Sequence, residues 1–224
     1  MSSSLVGSEM CIRDRALGEG SSNSLSKDTD LALAIGTKLA DFTTGSWANF
    51  ENPNFKLVSV NTARFDTTKH LATSVISDAK IGLQQISDAL GDWRAPNTWY
   101  QRAIKERDEW DAYVEKQSGP TNQEEPSYAH AVGAVYRNSD PSDIVVTAAG
   151  GLVGEVVQVW KPKQLNTFET EWGFSCMGYE ISGALGIKMA KPDQDVVVFV
   201  GDGSYLLNNS CLLYTSDAAD DDVR

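Results

Sequence analysis

Four short apolar runs constrain this chain more than anything else in it: Leu31–Ile35 (LALAI), 57–60 (LVSV), 144–148 (IVVTA) and 196–200 (VVVFV). None of them alternates. A strand with one wet face alternates apolar and polar residues, whereas a strand covered on both faces does not, so the runs predict strands of parallel sheets. Three of the four lead into small or polar residues: Gly36-Thr37, Ala149-Gly150-Gly151 and Gly201-Asp202-Gly203. Helical spacing fills the gaps. Ala79, Leu83, Ile86 and Leu90 share one face of a helix over 78–90. Ser127, just after Pro126, is placed to cap a helix over 127–136. Ile181, Ala184, Leu185 and Met189 share a face of a helix over 178–190 that stops before Pro192. Strands alternating with helices predict an α/β class with doubly wound parallel sheets.

Composition removes several function classes. Asp and Glu number 31 against 19 Lys and Arg, a net charge of −12 with no basic stripe, which argues against a nucleic-acid partner. The longest apolar run falls far short of the ~20 residues of a membrane span. Two histidines and no Cys-x-x-Cys pair give zinc no support. Three scattered cysteines make no disulfide framework and point to a reducing, cytoplasmic compartment. No Gly-x-Ser-x-Gly elbow exists for a serine hydrolase. Cys176 as a nucleophile would need a lowered pKa and a nearby base. His130 reads as packing or surface.

The organisation changes along the chain. Residues 97–117 are charged and aromatic (Trp99, Tyr100, Trp110, Tyr113) and read as a surface or bridging helix. Residues 118–126 (SGPTNQEEP) are a turn-rich linker. The expected divisions are one α/β piece over 16–92, a linker with its helix over 93–125, and a second α/β piece over 126–209. Both ends differ in composition from the rest. Residues 1–15 (MSSSLVGSEMCIRDR) and the acidic 210–224 resemble translated sequencing-adapter read-through. On that reading only Cys176 is native, and Asp217, Asp220, Asp221 and Asp222 are no metal site; resequencing the locus tests it.

The segment Val196 to Ser204 carries the strongest chemistry. A buried strand delivers Asp202 between Gly201 and Gly203, at the strand end where ligands of open α/β sheets bind. Glycines let backbone approach a phosphate closely. A carboxylate is a hard oxygen ligand for Mg²⁺, which bridges phosphate oxygens. By itself Gly-Asp-Gly is a common turn, so its context decides. Upstream lie Glu171-Trp172-Gly173-Phe174-Ser175-Cys176-Met177-Gly178-Tyr179-Glu180, then a Gly/Ala-rich helix and Lys191-Pro192-Asp193.

In this order and spacing, residues 126–208 resemble the cofactor-binding domain of thiamine-diphosphate enzymes, the acetohydroxyacid synthase and pyruvate decarboxylase superfamily. Three stretches bring the chain nearest to that superfamily's trihydroxycyclohexane-1,2-dione hydrolases, ring-opening enzymes of myo-inositol catabolism. These are Asp41-Phe42-Thr43-Thr44-Gly45-Ser46, Ala148-Ala149-Gly150-Gly151-Leu152 and Trp172 to Glu180. In the synthases the position of Glu180 is usually apolar or Gly. Here Glu180 reads either as a surface helix residue or as a substrate contact. Residues 16–90 resemble the end of the family's Rossmann-like central domain, but no Gly-x-Gly-x-x-Gly follows a strand, so no dinucleotide site is expected there.

The resemblance implies thiamine diphosphate and Mg²⁺ as cofactors. Asp202 would ligate the metal. Gly201, Gly203 and Ser204, with Gly150, Gly151 and Leu152, would contact the diphosphate. The Ser175 carbonyl and the Met177 N–H would hold the aminopyrimidine, with Met177 as the apolar wedge beneath the bent cofactor. The family's activating Glu and second metal-ligand segment would lie outside this chain, so its catalytic residues are unknown and the fragment alone is expected to be inactive. Asn208 and Asn209 come too soon to be that segment. The implied substrate is a small cyclic dione, and the implied assembly is a homo-dimer or tetramer with the cofactor at the subunit interface. Two alternatives stand beside this: a decarboxylating carboligase of the acetolactate synthase type, and a non-catalytic phosphate-binding α/β module.

Overall fold

The structure, a computed structural model, describes residues 20–171, 174–210 and 212, with Phe42 described by its backbone alone. The adapter-like residues 1–15 and most of 210–224, with the acidic residues Asp217, Asp220, Asp221 and Asp222, lie outside the described residues. Two compact units divide the chain between Ala112 and Tyr113.

The first unit begins with α1 (Gly20–Asp28), β1 (Leu31–Ile35), α2 (Asp41–Thr44), β2 (Lys56–Asn61) and α3 (Arg64–Thr67). A 3₁₀ turn (Lys69–Leu71), β3 (Thr73–Ile76), α4 (Ala79–Leu90) and most of α5 (Asn97–Ser118) follow. Its three strands pair in parallel in the order β1-β2-β3, with Leu33 opposite Val58 and Val60 opposite Val75. Central β2 carries the core: Leu57, Ser59 and Val60 are buried. Asp78 caps α4 by accepting from the N–H groups of Lys80 and Ile81 at 2.9 and 3.3 Å. The helix forms where its spacing predicts, but its apolar positions are not covered. Leu83 and Leu90 are exposed and only Gly82 is buried.

The second unit contains α6 (Tyr128–Asn138), β4 (Ile144–Thr147), α7 (Gly151–Val159), β5 (Phe168–Thr170), α8 (Tyr179–Ala190), β6 (Val196–Val198) and α9 (Asp202–Asn208). Its sheet is parallel with the order β5-β4-β6. Val145 pairs with Phe168 on one side and with Val197 on the other. All four residues of β4 are buried, as an uninterrupted apolar run requires of a central strand. The chain leaves β4 toward β5, then crosses back to β6 on the other side. Right-handed crossovers in opposite directions put α7 and α8 on opposite faces of the sheet. Val132, Val153, Val156, Ile181 and Ala184 line the core so formed. Each of the valines and the isoleucine contributes about 1.5–3 kcal/mol when fully buried.

Ser127 caps α6 as expected, and His130 completes a capping box. Its Nδ1 accepts from the Ser127 N–H at 3.1 Å, while its own N–H donates to Ser127 Oγ at 3.3 Å. That is a local structural role. At the end of α5 the Ser118 carbonyl accepts from Arg137 Nη1 at 2.6 Å. It lies so close to Gly133 of α6 that any added Cβ would collide with it. The loop 119–127 therefore leaves and returns to nearly the same place.

Candidate cofactor site

The reversal of strand order at β4 creates a topological switch point between β4 and β6, where the two following loops part and leave a crevice at the strands' carboxyl ends. The Ala148-Ala149-Gly150-Gly151 loop leaves β4, and Gly201-Asp202-Gly203 follows β6. A third segment, 174–178, precedes α8. Trp172 and Gly173 lie outside the described residues.

These three segments meet. An added Cβ on Gly203 would stand 3.2 Å from Met177 Cε. Gly178 sits at φ +92°, and a Cβ there would be 2.9 Å from Asn208 Cβ, so only glycine fits this left-handed N-cap of α8 against α9. Asn208 Nδ2 donates to the Gly178 carbonyl at 3.0 Å. Asn208 thus ties α9 to the turn. Gly150, at φ +89°, caps α7, and neither it, Gly151 nor Gly201 has a heavy atom in the way of a Cβ. The backbone at those three positions faces open space.

Glu180 connects the first and third segments. It is 0% exposed. Its Oε1 accepts from the Ala149 N–H at 3.1 Å and its Oε2 from the Gly178 N–H at 2.9 Å. Both sequence-based readings of Glu180 therefore give way: it is neither on the surface nor free to touch a substrate. A carboxylate lies comfortably in the first turn of a helix, where the unpaired N–H groups favour an anion. That position was the one signal in the sequence that could have revealed it.

A second carboxylate holds the other end of the turn. Glu171 Oε1 accepts from the Phe174 N–H at 2.9 Å, and Oε2 from the Cys176 N–H at 2.8 Å. Between them Ser175 takes φ +53°, a left-handed conformation that costs a non-glycine residue roughly 1–2 kcal/mol. The turn's N–H groups are thus claimed alternately, at Phe174, Cys176 and Gly178. Among the described residues the Ser175 carbonyl and the Met177 N–H make no hydrogen bond. Met177 is 52% exposed, and Ser175 is exposed too.

Of the other expected site residues, Asp202 is exposed and its Oδ1 accepts only from the neighbouring Gly203 N–H, at 2.9 Å. Ser204 is buried and Leu152 is half-buried in the first turn of α7. The Cys176 thiol is pushed above its ordinary pKa, first by desolvation, then by the Glu171 charge and a hydrogen bond to it. A nucleophile needs the opposite shift, so Cys176 does not read as one.

The donor set fits a phosphate group carried with a cation. The segments 148–153, 174–181 and 201–208 contain no Lys or Arg. A diphosphate there would meet backbone N–H groups and would need its charge balanced by a metal. Among the described residues no group of three or more His, Cys, Asp or Glu could hold a metal by itself. One exposed carboxylate plus ligand phosphates is how Mg²⁺ is commonly held.

The parallel sheets with a switch point define an α/β domain of the doubly wound class, and residues 148–216 match the family model described as the thiamine pyrophosphate enzyme C-terminal TPP-binding domain. The resemblance seen in the sequence is thereby borne out. The chain is similar to 3D-(3,5/4)-trihydroxycyclohexane-1,2-dione hydrolases: 35% identical to that of Clostridium tetani and 34% to that of Geobacillus thermodenitrificans, each over 88% of this chain. The hydrolase of Clostridium perfringens is 32% identical over 86% of the chain. In all three cases the match covers 34% of the relative, so the chain spans about a third of the length of these curated relatives.

Proposed function

We propose that this chain is the part of a thiamine-diphosphate- and Mg²⁺-dependent hydrolase that grips the cofactor, in an enzyme that opens the ring of trihydroxycyclohexane-1,2-dione to 5-deoxy-glucuronate. The observation that carries this reading is the turn 174–178, which leaves the Ser175 carbonyl and the Met177 N–H unclaimed beside the Asp202 loop. A carbonyl and an N–H side by side are what an aminopyrimidine edge needs. Exposed Met177 offers a flexible apolar surface for the bent cofactor to rest on. Asp202 would hold Mg²⁺, while the N–H groups of Gly203 and Ser204 and those of Gly150, Gly151 and Leu152 would receive the diphosphate. The cofactor, once bound, supplies an electron sink that lets a C–C bond beside a carbonyl break.

The names of the relatives support the dione substrate, and the family model supports thiamine pyrophosphate. The reading further includes a homo-oligomer with the cofactor shared between subunits, and a cytoplasmic location. None of the described helices is long and apolar enough to cross a membrane.

The test uses the protein expressed from its complete reading frame. Thiamine diphosphate should bind only with Mg²⁺, and Asp202→Ala should abolish the metal dependence. Ring opening of the dione, without turnover of pyruvate, is the expected activity. Pyruvate turnover would instead identify a carboligase, and phosphate binding indifferent to thiamine would identify a non-catalytic module.

A further inference from the structure

We infer that Glu180 is a positioning residue, which sets the separation between the Ala149–Gly151 loop and the Met177-Gly178 turn and so matches the two halves of the cofactor surface to one another. The inference rests on the proposed thiamine-diphosphate site and deepens it. The carboxylate is fully buried, and each of its oxygens takes one N–H, one from each segment. Glu180 lies 31 residues from Ala149 in sequence, so its carboxylate joins two segments that the chain itself keeps apart. Among the described residues no Lys, Arg or His pairs with Glu180, so its burial is offset by the two N–H bonds and by its place in the first turn of α8.

This geometry gives Glu180 a role that simple packing would not. Glu171 bonds the turn at Phe174 and Cys176, and Asn208 bonds it at Gly178. Glu180 bonds both that turn and the loop after β4. A ligand that occupies one segment should be indifferent to it. A ligand that must reach from one segment to the other should not.

Glu180→Gln keeps the volume but replaces one acceptor oxygen with an NH₂ group, which must face an N–H donor at one of its two sites. Two readouts on the protein from its complete reading frame test the inference. The first needs no cofactor: in the free protein, amide exchange at Ala149 and at Gly178 should rise together in the variant. The second compares two probes with Mg²⁺, inorganic pyrophosphate and thiamine diphosphate. Pyrophosphate affinity should stay within about threefold, while thiamine diphosphate affinity should fall about 10- to 100-fold. Equal weakening of both probes, unchanged thiamine diphosphate affinity, or faster exchange in one segment alone would overturn it. Should the Gln variant not fold, Glu180→Asp, a methylene shorter and able to reach one amide at a time, is expected to show the same pattern and is read by the same criteria. Failure of the unsubstituted protein to bind thiamine diphosphate would overturn the proposed function itself. Coupled exchange at Ala149 and Gly178 would still tell that failure apart from an error about the brace.

Discussion

The two units each hold three parallel strands among the described residues, yet the strands are connected in different orders. In the first, the order β1-β2-β3 advances steadily across the sheet. In the second, the order β5-β4-β6 reverses. A sheet that advances in one direction sends each crossover the same way. A reversal sends successive loops apart. The lesson is that strand composition and local turn chemistry are nearly alike in the two units, and that the order of connection is what distinguishes a ligand site from plain scaffold. Burial follows place in the sheet instead: central β4 is covered throughout and central β2 buries Leu57, Ser59 and Val60, whereas Leu31 and Leu33 of edge strand β1 and Ile76 of edge strand β3 are exposed.

Several substitutions would break or sharpen this contrast. The largest effect is expected at the crevice. Asp202→Ala should weaken Mg²⁺-dependent thiamine diphosphate binding on the order of 100-fold or more, read by titration, with no change in amide exchange in the first unit. Next come the strands. Ile144→Ala, in the middle of the second sheet and 1% exposed, should cost about 2–5 kcal/mol. Leu31→Ala, 55% exposed at the edge of the first, should stay within about 1 kcal/mol. Denaturation followed by exchange of peptides from each unit separates the two, and equal costs would erase the contrast in burial.

Smaller effects should be equal in the two units. Asp78→Ala and Ser127→Ala each remove a helix N-cap and should cost about 1 kcal/mol, because capping depends on the first turn and not on the sheet beneath it. Unit-resolved exchange checks that as well. The least effect concerns Cys176. Its raised pKa leaves less thiolate at any given pH, so alkylation near pH 8 should be slower than for an ordinary exposed thiol and should recover only as the pH rises further. Glu171→Gln removes the nearby charge and should speed it roughly two- to fivefold, measured on the Cys176 peptide by mass spectrometry.

The central elements were legible because their signals are local. Val145 and Val146 announce a covered strand by themselves; the run 196–200 announces a strand too, but β6 is half-buried because it lies at the edge of the sheet. The strands β3 and β5 were not foreseen, since Thr73–Ile76 and Phe168–Thr170 are short edges of mixed polarity whose pairing depends on a neighbour distant in sequence. The face of α4 shows the converse: Leu83 and Leu90 have the spacing of a buried stripe, but spacing says nothing about whether anything covers it. At the site, residue types and order pointed to the turn and the Asp202 loop. The role of Glu180 could not be read, because its partner Ala149 lies 31 residues away. The amide bond of Asn208 to Gly178 likewise required the fold to be seen.

The docking of the Ser118 carbonyl against Gly133 and Arg137 has a practical side. Both feet of the nine-residue excursion over 119–127 are planted on the same helix pair, so its length matters little to what surrounds it. Doubling such an excursion costs only about 0.6 kcal/mol in closure entropy. It is a natural graft point, where a fluorophore or affinity handle could ride on the cofactor-binding half without leaning on the crevice.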